Sequence, residues 1–378
     1  MPNRVLHIVE TLDRGAVENW LVRMFCHACD GDGAVDWTFY CELSAPGALD
    51  NKVTQLGARI VRSPVAIGQT FKFIQALRKE IRNGGYDVIH CHHDVISALY
   101  LVATIGLRKP QRIVHVHNAD EAVRTSSRWK GPLLRGLFRR ICLGLADKIV
   151  GISNHTLDTF LNGRKRRPGR DVVHYYGIDP EPFRNCQVEP EAFRRELGLA
   201  DDARILLFAG RLVPEKNPQF VLDVLNELRN FEPRAVGIFV GSGSETVALK
   251  NRVLELTLEE SVRFLGWRDN VPEIMKCSDL FILPRPEEPM EGFGIAVVEA
   301  QLAGLRLLLS QGIPDDPLLT GSSSQRLSLA EPAEKWARAA YSLLKDKPLG
   351  SNEAAKKLAE SSMDMDRALT NLLQLYRE

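Results

Sequence analysis

The stretch 291–304 constrains the fold more than any other part of this 378-residue chain. It follows a short apolar run, 280–283, which reads as a buried strand that Pro284 closes. Two glycines then flank Phe293, and a helical pattern runs from Ile295 to Gly304, a residue typical of a helix C-terminus. A strand, a glycine loop and a helix in this order predict an α/β unit with an anion site at the helix N-terminus.

Two carboxylates flank the predicted anion site. Glu291 lies in the loop before the helix, and Glu299 lies in the helix body. N–H groups at 292–294, at the start of a helix, suit a phosphate and carboxylates suit hydroxyl groups, so the combination predicts a nucleotide-sugar site. The simpler alternative is one glutamate that caps the helix and another that is solvated. The glycines on both sides of Phe293 favour the binding site.

Composition predicts a soluble globular protein. Hydrophobic residues make up 44% and charged residues 26%, and the net charge of +1 gives no overall attraction to nucleic acid. No run of eighteen apolar residues predicts a membrane span. The N-terminal apolar segment is too short for a signal peptide, and the seven cysteines lie mostly in apolar runs. We therefore expect a cytoplasmic location.

Short apolar runs alternate with amphipathic stretches along most of the chain, which predicts βα repeats and parallel sheets. Prolines at 180, 182 and 190 interrupt the pattern, so we expect a first domain over 1–180 and a second over 181–363. Asp364 is a candidate cap for a last helix. All nine histidines lie at or before residue 174, whereas the anion loop lies in the second half. This division predicts a site between two domains.

A second phosphate-binding feature follows the predicted strand 205–208. Arg211 and Lys216 are five residues apart, so an arginine fork and a lysine point charge can reach one diphosphate. The alternative is a surface ion pair, for which Glu215 is the obvious partner. Gly241, after the next strand, opens a further loop.

The first half offers a strand-end histidine and a glycine loop. His115 and His117 end the strand 112–117, and alternation places them on one face. His117 at the C-terminal edge of a parallel sheet would face a ligand crevice. The alternative is a histidine that only bonds to backbone. Gly15 lies between the first strand and the first helix, a common ligand position.

The segment 90–94, with the spacing H-x-H-x-D, allows a metal-dependent hydrolase as an alternative function. We expect it instead to line the edge of the sheet and to hold no metal.

The region 124–170 is basic: the slightly longer stretch 121–170 has 12 Lys/Arg against 3 Asp/Glu, a local charge of 12 − 3 = +9. Such a run is often a solvated surface, but it also suits an anionic membrane surface. Nucleic acid is not expected, because aromatic residues are scarce here. A helix is predicted within the region, with an apolar stripe of Leu133, Leu134, Leu137, Ile141 and Leu145.

Three ordered motifs together resemble a known family. Glu291-x7-Glu299, Gly210-Arg211-x4-Lys216 and the His115–Asn118 strand end are similar to motifs of retaining glycosyltransferases of family 4, of the capsule and exopolysaccharide type. The resemblance implies the α/β GT-B fold: two Rossmann-like, doubly wound domains around a cleft, with the helix 364–378 packed on the first domain. It also implies sugar transfer, with retention, from a nucleoside diphosphate sugar to a hydroxyl of a saccharide or lipid-linked saccharide.

The resemblance also implies a role for each motif residue. His117 and Glu291 would orient the sugar, and Glu299 would bind the ribose. The other substrate-binding positions would be Gly15, Arg211, Lys216, Gly241, Gly292, Phe293 and Gly294. We expect no metal or other cofactor, and a UDP-sugar before a GDP-sugar. A nucleotide-sugar epimerase of similar fold is a second alternative function.

This chain departs from the family pattern at two places. It has Gly15-Ala16 where two glycines are usual, and its segment 285–290 is longer than usual.

Overall fold

The computed structural model describes residues 3–13, 15–31, 35–107, 110–118, 130–320, 324–345 and 351–377. The chain divides into two compact units, Met1–Ile178 with Ser362–Glu378, and Asp179–Ser361. Each unit is built on one parallel sheet.

The first unit has a seven-stranded sheet in the order β3-β2-β1-β4-β5-β6-β7. Its elements are β1 (Arg4–Val9), α1 (Ala16–Asp30), β2 (Asp36–Cys41), α2 (Asp50–Gln55), β3 (Arg59–Arg62), α3 (Thr70–Gly84), β4 (Val88–Cys91), α4 (Ser97–Ala103), β5 (Gln111–Val116), α5 (Lys130–Leu145), β6 (Lys148–Gly151), α6 (Asn154–Leu161) and β7 (Asp171–Val173). A last helix from the far end of the chain belongs to the same unit.

The two faces of the first sheet differ in chemistry. Alternate strand residues such as Leu6, Ile89 and Val114 form an apolar core with α3, α4 and α5. The residues between them include His7, His90 and His115, which are all fully buried. His7 and His90 are partners in the β1–β4 register. Trp20 of α1 packs edge-on against His115 with ring centroids 5.2 Å apart. One face of the sheet is therefore lined by imidazoles.

The second unit has a six-stranded sheet in the order β10-β9-β8-β11-β12-β13. Its elements are α7 (Glu181–Arg184), α8 (Pro190–Glu196), β8 (Arg204–Ala209), α9 (Pro218–Leu228), β9 (Ala235–Val240), α10 (Thr246–Glu255), β10 (Val262–Gly266), α11 (Val271–Lys276), β11 (Leu280–Leu283), α12 (Ile295–Leu302), β12 (Arg306–Ser310), β13 (Ser324–Leu327), α13 (Ala333–Lys345) and α14 (Ser351–Glu360). The four central strands, β9, β8, β11 and β12, are largely buried apolar runs, as expected for a parallel sheet covered on both faces.

Both sheets reverse their strand order once, between β1 and β4 in the first unit and between β8 and β11 in the second. This is the doubly wound, Rossmann-like topology, so the predicted fold class is confirmed. The loops that follow the strands at such a reversal run to opposite sides and leave a crevice for a ligand.

The last helix, α15 (Met365–Leu375), packs on the first unit. Asp364 caps it by accepting the backbone N–H of Arg367, which confirms the predicted cap. The ring of His174 is within hydrogen-bond distance, 2.9 Å, of the Ala368 carbonyl. The buried hydroxyl of Tyr376 lies 2.8 Å from Nδ1 of His90. The helix therefore covers part of the imidazole face.

The predicted apolar stripe of α5 is wrong in its first turns. Ile141 and Leu145 pack against the core, but Leu133 and Leu137 are 76% and 51% exposed. Phe138, which the stripe left out, packs inward instead. The predicted stripe was chosen as the side of the helix away from the basic residues. The side that packs on the core is instead the one that contains Cys142, which is fully buried. Residues 124–129 lie outside the described part of the chain. Within the part that is described, no helix has the length and apolar character that a membrane crossing requires.

We predict that the first unit is acid-labile. Burial lowers the pKa of His7, His90, His92, His115, His117 and His174, and the pKa of His92 falls to about 3. An unfolded histidine titrates near 6.5, so the unfolded state takes up protons first and stability is lost as pH falls below about 6.5. Six rings give a slope on the order of 8 kcal/mol per pH unit at most.

Urea unfolding at pH 7.5 and 5.5 measures this loss. The second unit is an internal control, because no histidine lies beyond residue 174. Equal unfolding free energies of the first unit at the two pH values would contradict the prediction.

Candidate functional site

The strand reversal in the second unit brings a lysine and a glutamate together. Lys216 lies in a short 3-10 turn after β8, and Glu291 lies in the loop after β11. Nζ of Lys216 donates to Oε2 of Glu291 at 2.6 Å, and both side chains are about 85% buried, with exposures of 15% and 13%. The partner of Lys216 is therefore Glu291, and not the exposed Glu215 next to it in sequence.

A third side chain shares the same carboxylate oxygen. Nη1 of Arg285 lies 3.3 Å from Oε2 of Glu291, and the arginine side chain is 11% exposed. A backbone hydrogen bond fixes the loop that carries both residues: the N–H of Glu291 donates to the Gly312 carbonyl at 2.8 Å. A Cβ on Gly312 would meet the Pro286 carbonyl at 2.1 Å, so only glycine allows this approach.

The cluster carries an excess of positive charge. Burial works against ionisation of Glu291, yet Lys216, Arg285 and Arg211 together hold its pKa below the ordinary value. Burial lowers the pKa of Lys216, and Glu291 opposes that shift. The largely buried Lys216 and Arg285 and the exposed Arg211 act on one buried carboxylate, which leaves 3 − 1 = +2 on these four side chains. Such a cluster suits a dianion, because charges interact more strongly at its buried side chains than in water.

The helix α12 begins where the sequence predicts. Gly294 is its N-cap with φ 94°, a left-handed conformation that favours glycine. At the other end Gly304 has φ 85°, and its N–H and that of Leu305 bond back to Gln301 and Ala300, as in a Schellman motif. The predicted helix stop is confirmed.

The predicted site residues of this segment occupy different environments. The Phe293 side chain is 1% exposed, so it anchors the loop in the core and leaves only its backbone to meet a ligand. Glu299 lies half-buried in the second turn of α12. Gly292 precedes the buried phenylalanine in the same loop.

The loops after β8 and β9 touch each other. Gly210 donates its N–H to the Val240 carbonyl at 2.9 Å. A Cβ on Gly241, whose φ is 125°, would lie 2.1 Å from the Gly210 carbonyl oxygen. Gly241 thus lets the chain pass directly behind Arg211, an exposed residue at the end of β8. This supports the loop position that the sequence predicts for both residues.

In the first unit, His117 is the end of a chain of imidazoles. Its Nε2 lies 3.1 Å from Nδ1 of His92, and its Nδ1 lies 2.8 Å from the Tyr176 hydroxyl. Nε2 of His92 continues the chain to Nδ1 of His7 at 3.0 Å. Both ring nitrogens of His117 are therefore engaged, and the residue is only 4% exposed. A ligand that reaches His117 would have to take the place of Tyr176 or His92.

The segment 90–94 does not gather as a metal-binding set. The Asp94 carboxylate accepts the backbone N–H of His117 at 2.6 Å and the side-chain amide of Asn118 at 2.8 Å. His93 turns to Glu42, with Nδ1 2.7 Å from the carboxylate. Asp94 therefore positions the end of β5.

The ring nitrogens that do cluster, within 4.8 Å in each group among the described residues, are those of His7, His90 and His92, and those of His92, His115 and His117. These groups could hold a metal ion, but the hydrogen bonds between neutral rings already account for their approach.

Gly15, the other predicted residue of this unit, is the N-cap of α1 in an extended conformation. Its carbonyl accepts the backbone N–H of Asn19 at 3.0 Å and the Asn19 side-chain amide at 2.8 Å. The carbonyl oxygen of Gly15 is thus used by the helix that it starts.

Sequence reasoning missed Arg285 as a site residue and missed His7 as a member of the imidazole chain. Arg285 follows β11 directly after Pro284, at the strand reversal, and that position was the available signal. His7 gave no local signal, because its contact with His92 depends on the pairing of β1 with β4.

Two family models match the chain, one in each unit. "Glycosyltransferase Family 4" matches residues 4–182, and "Glycosyl transferases group 1" matches residues 189–363. The chain is similar to the putative glycosyltransferase EpsF of Bacillus subtilis, with 28% identity over 88% of this chain and 86% of the relative. It is also similar to the UDP-Gal:alpha-D-GlcNAc-diphosphoundecaprenol alpha-1,3-galactosyltransferase of Escherichia coli, with 27% identity over 73% and 71%.

Solved structures share the fold. That of Anabaena Alr3699/HepE in complex with UDP and glucose superposes with a TM-score of 0.78, at 18% identity over 98% of each chain. That of WaaG, a glycosyltransferase involved in lipopolysaccharide biosynthesis, has a TM-score of 0.73, at 14% identity over 98% of this chain and 99% of the other.

We predict that Glu291→Gln destabilises the second unit by about 3 kcal/mol, because it leaves Lys216, Arg285 and Arg211 without this counter-charge. Excess pyrophosphate should restore the lost stability, because an anion then replaces the carboxylate. Thermal unfolding with and without pyrophosphate measures both effects. Glu215→Gln, which removes an exposed charge beside Lys216, is the matched control and should change neither value. A fully stable Glu291→Gln would argue against a repulsive cation cluster.

Proposed function

The chain belongs to glycosyltransferase family 4 and has the GT-B fold, and from this premise we propose that it moves a sugar from a nucleoside diphosphate donor to an acceptor hydroxyl. The observation that carries the proposal is the cluster at the β8–β11 reversal. Its charge of +2 matches the two negative charges of a diphosphate, beside a helix N-terminus that also attracts phosphate. The donor in this proposal is a UDP-sugar before a GDP-sugar.

In the proposed mechanism the chemistry occurs at the bond between sugar and diphosphate. Arg211, Lys216 and the N–H groups at 292–294 bind the diphosphate and stabilise the charge that grows on it as the bond breaks. One such contact at about 4 Å and an effective dielectric near 20 is on the order of 4 kcal/mol before desolvation. These cations stabilise the charge on the leaving diphosphate, as a bound metal ion does in other enzymes. The proposed transfer therefore needs no metal. The proposed stereochemical outcome is retention.

The remaining residues position the donor sugar and the nucleotide. Glu291 and His117 would hold sugar hydroxyl groups, and Glu299 would hold the ribose. Gly15 and Gly241 would let backbone approach the ligand. Since His117 has both ring nitrogens engaged by His92 and Tyr176, its proposed contact requires that the sugar replace one of them.

For the acceptor we propose a saccharide or a lipid-linked saccharide in the synthesis of a cell-surface polysaccharide. The support is the E. coli relative, whose name specifies a diphosphoundecaprenol-linked acceptor. Both relatives and the WaaG structure carry glycosyltransferase or galactosyltransferase names, so the epimerase and hydrolase alternatives gain no support.

We predict that Lys216→Ala and Glu291→Ala each lower kcat by about 100- to 1000-fold, the usual range for one lost electrostatic contact. Calorimetry with UDP should separate the two roles. Lys216→Ala loses affinity because a phosphate contact is gone, whereas Glu291→Ala keeps it because the pocket becomes more positive. Glu215→Ala is the control and should behave as wild type.

Transfer should persist in excess EDTA. Wild-type rates in both alanine variants would refute the residue roles, and a loss in EDTA that Mg²⁺ restores would refute the metal-free mechanism.

We also propose that α5 docks on an anionic membrane at the cytoplasmic face. Leu133 and Leu137 lie one turn apart and are exposed, and the exposed Arg140 follows them by three residues. Exposed leucines beside a basic residue suit the interface of an anionic bilayer. The exposed loop 164–167 adds further basic residues, although Arg166 is paired with Asp158.

The double substitution Leu133→Glu and Leu137→Glu should lower binding to phosphatidylglycerol vesicles at least about tenfold, because two apolar contacts are lost and two repelling charges are added. The matched control is Val247→Glu with Leu254→Glu, which changes two exposed apolar residues of the second unit. Vesicle sedimentation measures binding, and UDP affinity checks that the protein is intact. Equal losses in both double variants would refute docking through α5.

A further inference from the structure

Arg285 is held in place independently of Lys216. Its Nε donates to the Pro289 carbonyl at 3.1 Å, so the guanidinium closes its own loop while Nη1 faces Glu291. The carbonyl of Arg285 accepts the hydroxyl of Ser310, at the end of the neighbouring strand β12. Backbone and side chain are thus both anchored, whereas Lys216 reaches Glu291 by a flexible stem from another loop.

The two cations cannot have the same role. Both approach Oε2 of Glu291, Lys216 at 2.6 Å and Arg285 at 3.3 Å. If Lys216 turns to the diphosphate, as the proposed function requires, its short contact with the carboxylate is lost or shared. A buried carboxylate without a partner is strongly unfavourable. Another cation must therefore neutralise Glu291 while the donor is bound.

We propose that Arg285 is a positioning residue that keeps Glu291 ionised and oriented when Lys216 is transferred to the donor diphosphate. This inference rests on the proposed function and deepens it. In the free protein Lys216 and Arg285 share Glu291. In the donor complex Arg285 holds Glu291 alone, so that the carboxylate can accept a sugar hydroxyl while Lys216 binds phosphate.

Arginine suits this role better than lysine. A guanidinium offers several N–H groups in fixed directions, so one can hold Pro289 while another holds Glu291. A lysine at 285 would keep the charge but would have to choose between these partners.

A double-mutant cycle on UDP binding tests the proposal. In the presence of Glu291, Arg285→Met should lower the affinity for UDP at least about tenfold, because Lys216 must then leave the carboxylate unpaired when it binds phosphate. In a Glu291→Gln background the same change should cost at least about threefold less than it does beside Glu291, because no carboxylate needs a partner and only the attraction between Arg285 and the diphosphate is lost. Calorimetry gives the four affinities. Equal losses in the two backgrounds would overturn the proposal.

Three further measurements test whether the loss of UDP affinity comes from the proposed role of Arg285. Arg285→Lys should regain part of the lost UDP affinity, and it replaces Arg285→Met if that variant fails to fold. The acid limb of the transfer rate should move to higher pH in Arg285→Met, because Arg285 helps to keep the pKa of Glu291 low beside Lys216 and Arg211. Arg252→Met removes a surface arginine paired with Asp223 and Glu255, and should leave affinity and pH profile unchanged.

The outcomes separate this inference from the function on which it rests. If the wild type binds UDP and transfers sugar but the effects of the two substitutions on UDP affinity are additive, only the proposed role of Arg285 is refuted. If the wild type binds no nucleoside diphosphate at all, both the role of Arg285 and the proposed function are refuted.

Discussion

The reversal of strand order between β8 and β11 is the constraint on which the candidate site depends. Because the chain leaves the two strands toward opposite faces of the sheet, the loops between them diverge and their first residues lie side by side. Lys216 and Glu291 are 75 residues apart in sequence and meet at 2.6 Å for this reason. The rigid strands place the two loops. A 3-10 turn after β8 carries Lys216, and the longer loop after β11 carries Arg285 and Glu291.

The cluster at this reversal is unfavourable for the empty protein. Three cations around one buried carboxylate repel each other, and burial opposes the charge of Lys216 and of Glu291 alike. A chain selected for stability alone would replace such a group by apolar residues or by a matched pair. An anion from outside would compensate this excess of two positive charges, of which those on Lys216 and Arg285 are largely buried. The glycines at 241 and 312 let neighbouring loops of this site come into backbone contact. A side chain at either position would clash with the adjacent backbone and force the loops apart.

The architecture could be predicted from the sequence because its signals are local. Apolar runs of strand length, amphipathic stretches between them and the glycines at 294 and 304 act over a few residues. The partners of charged groups could not be predicted, because they depend on strand order. Glu215 is adjacent to Lys216 in sequence, yet Glu291 is its partner. The α5 stripe was wrong for a related reason: five leucine and isoleucine positions fit a helical face, but only packing against the core decides which of them are buried.

The imidazole face shows how far such non-local effects reach. A parallel sheet with helices on both sides buries most residues of its central strands, so the histidines at 7, 90 and 115 become core residues. As neutral rings each has one donor and one acceptor, and the rings satisfy most of these through one another and through two tyrosines. One of those tyrosines, Tyr376, comes from the last helix. The first unit is therefore complete only when the end of the chain has packed on it, and the polar face of its sheet is what makes that helix necessary.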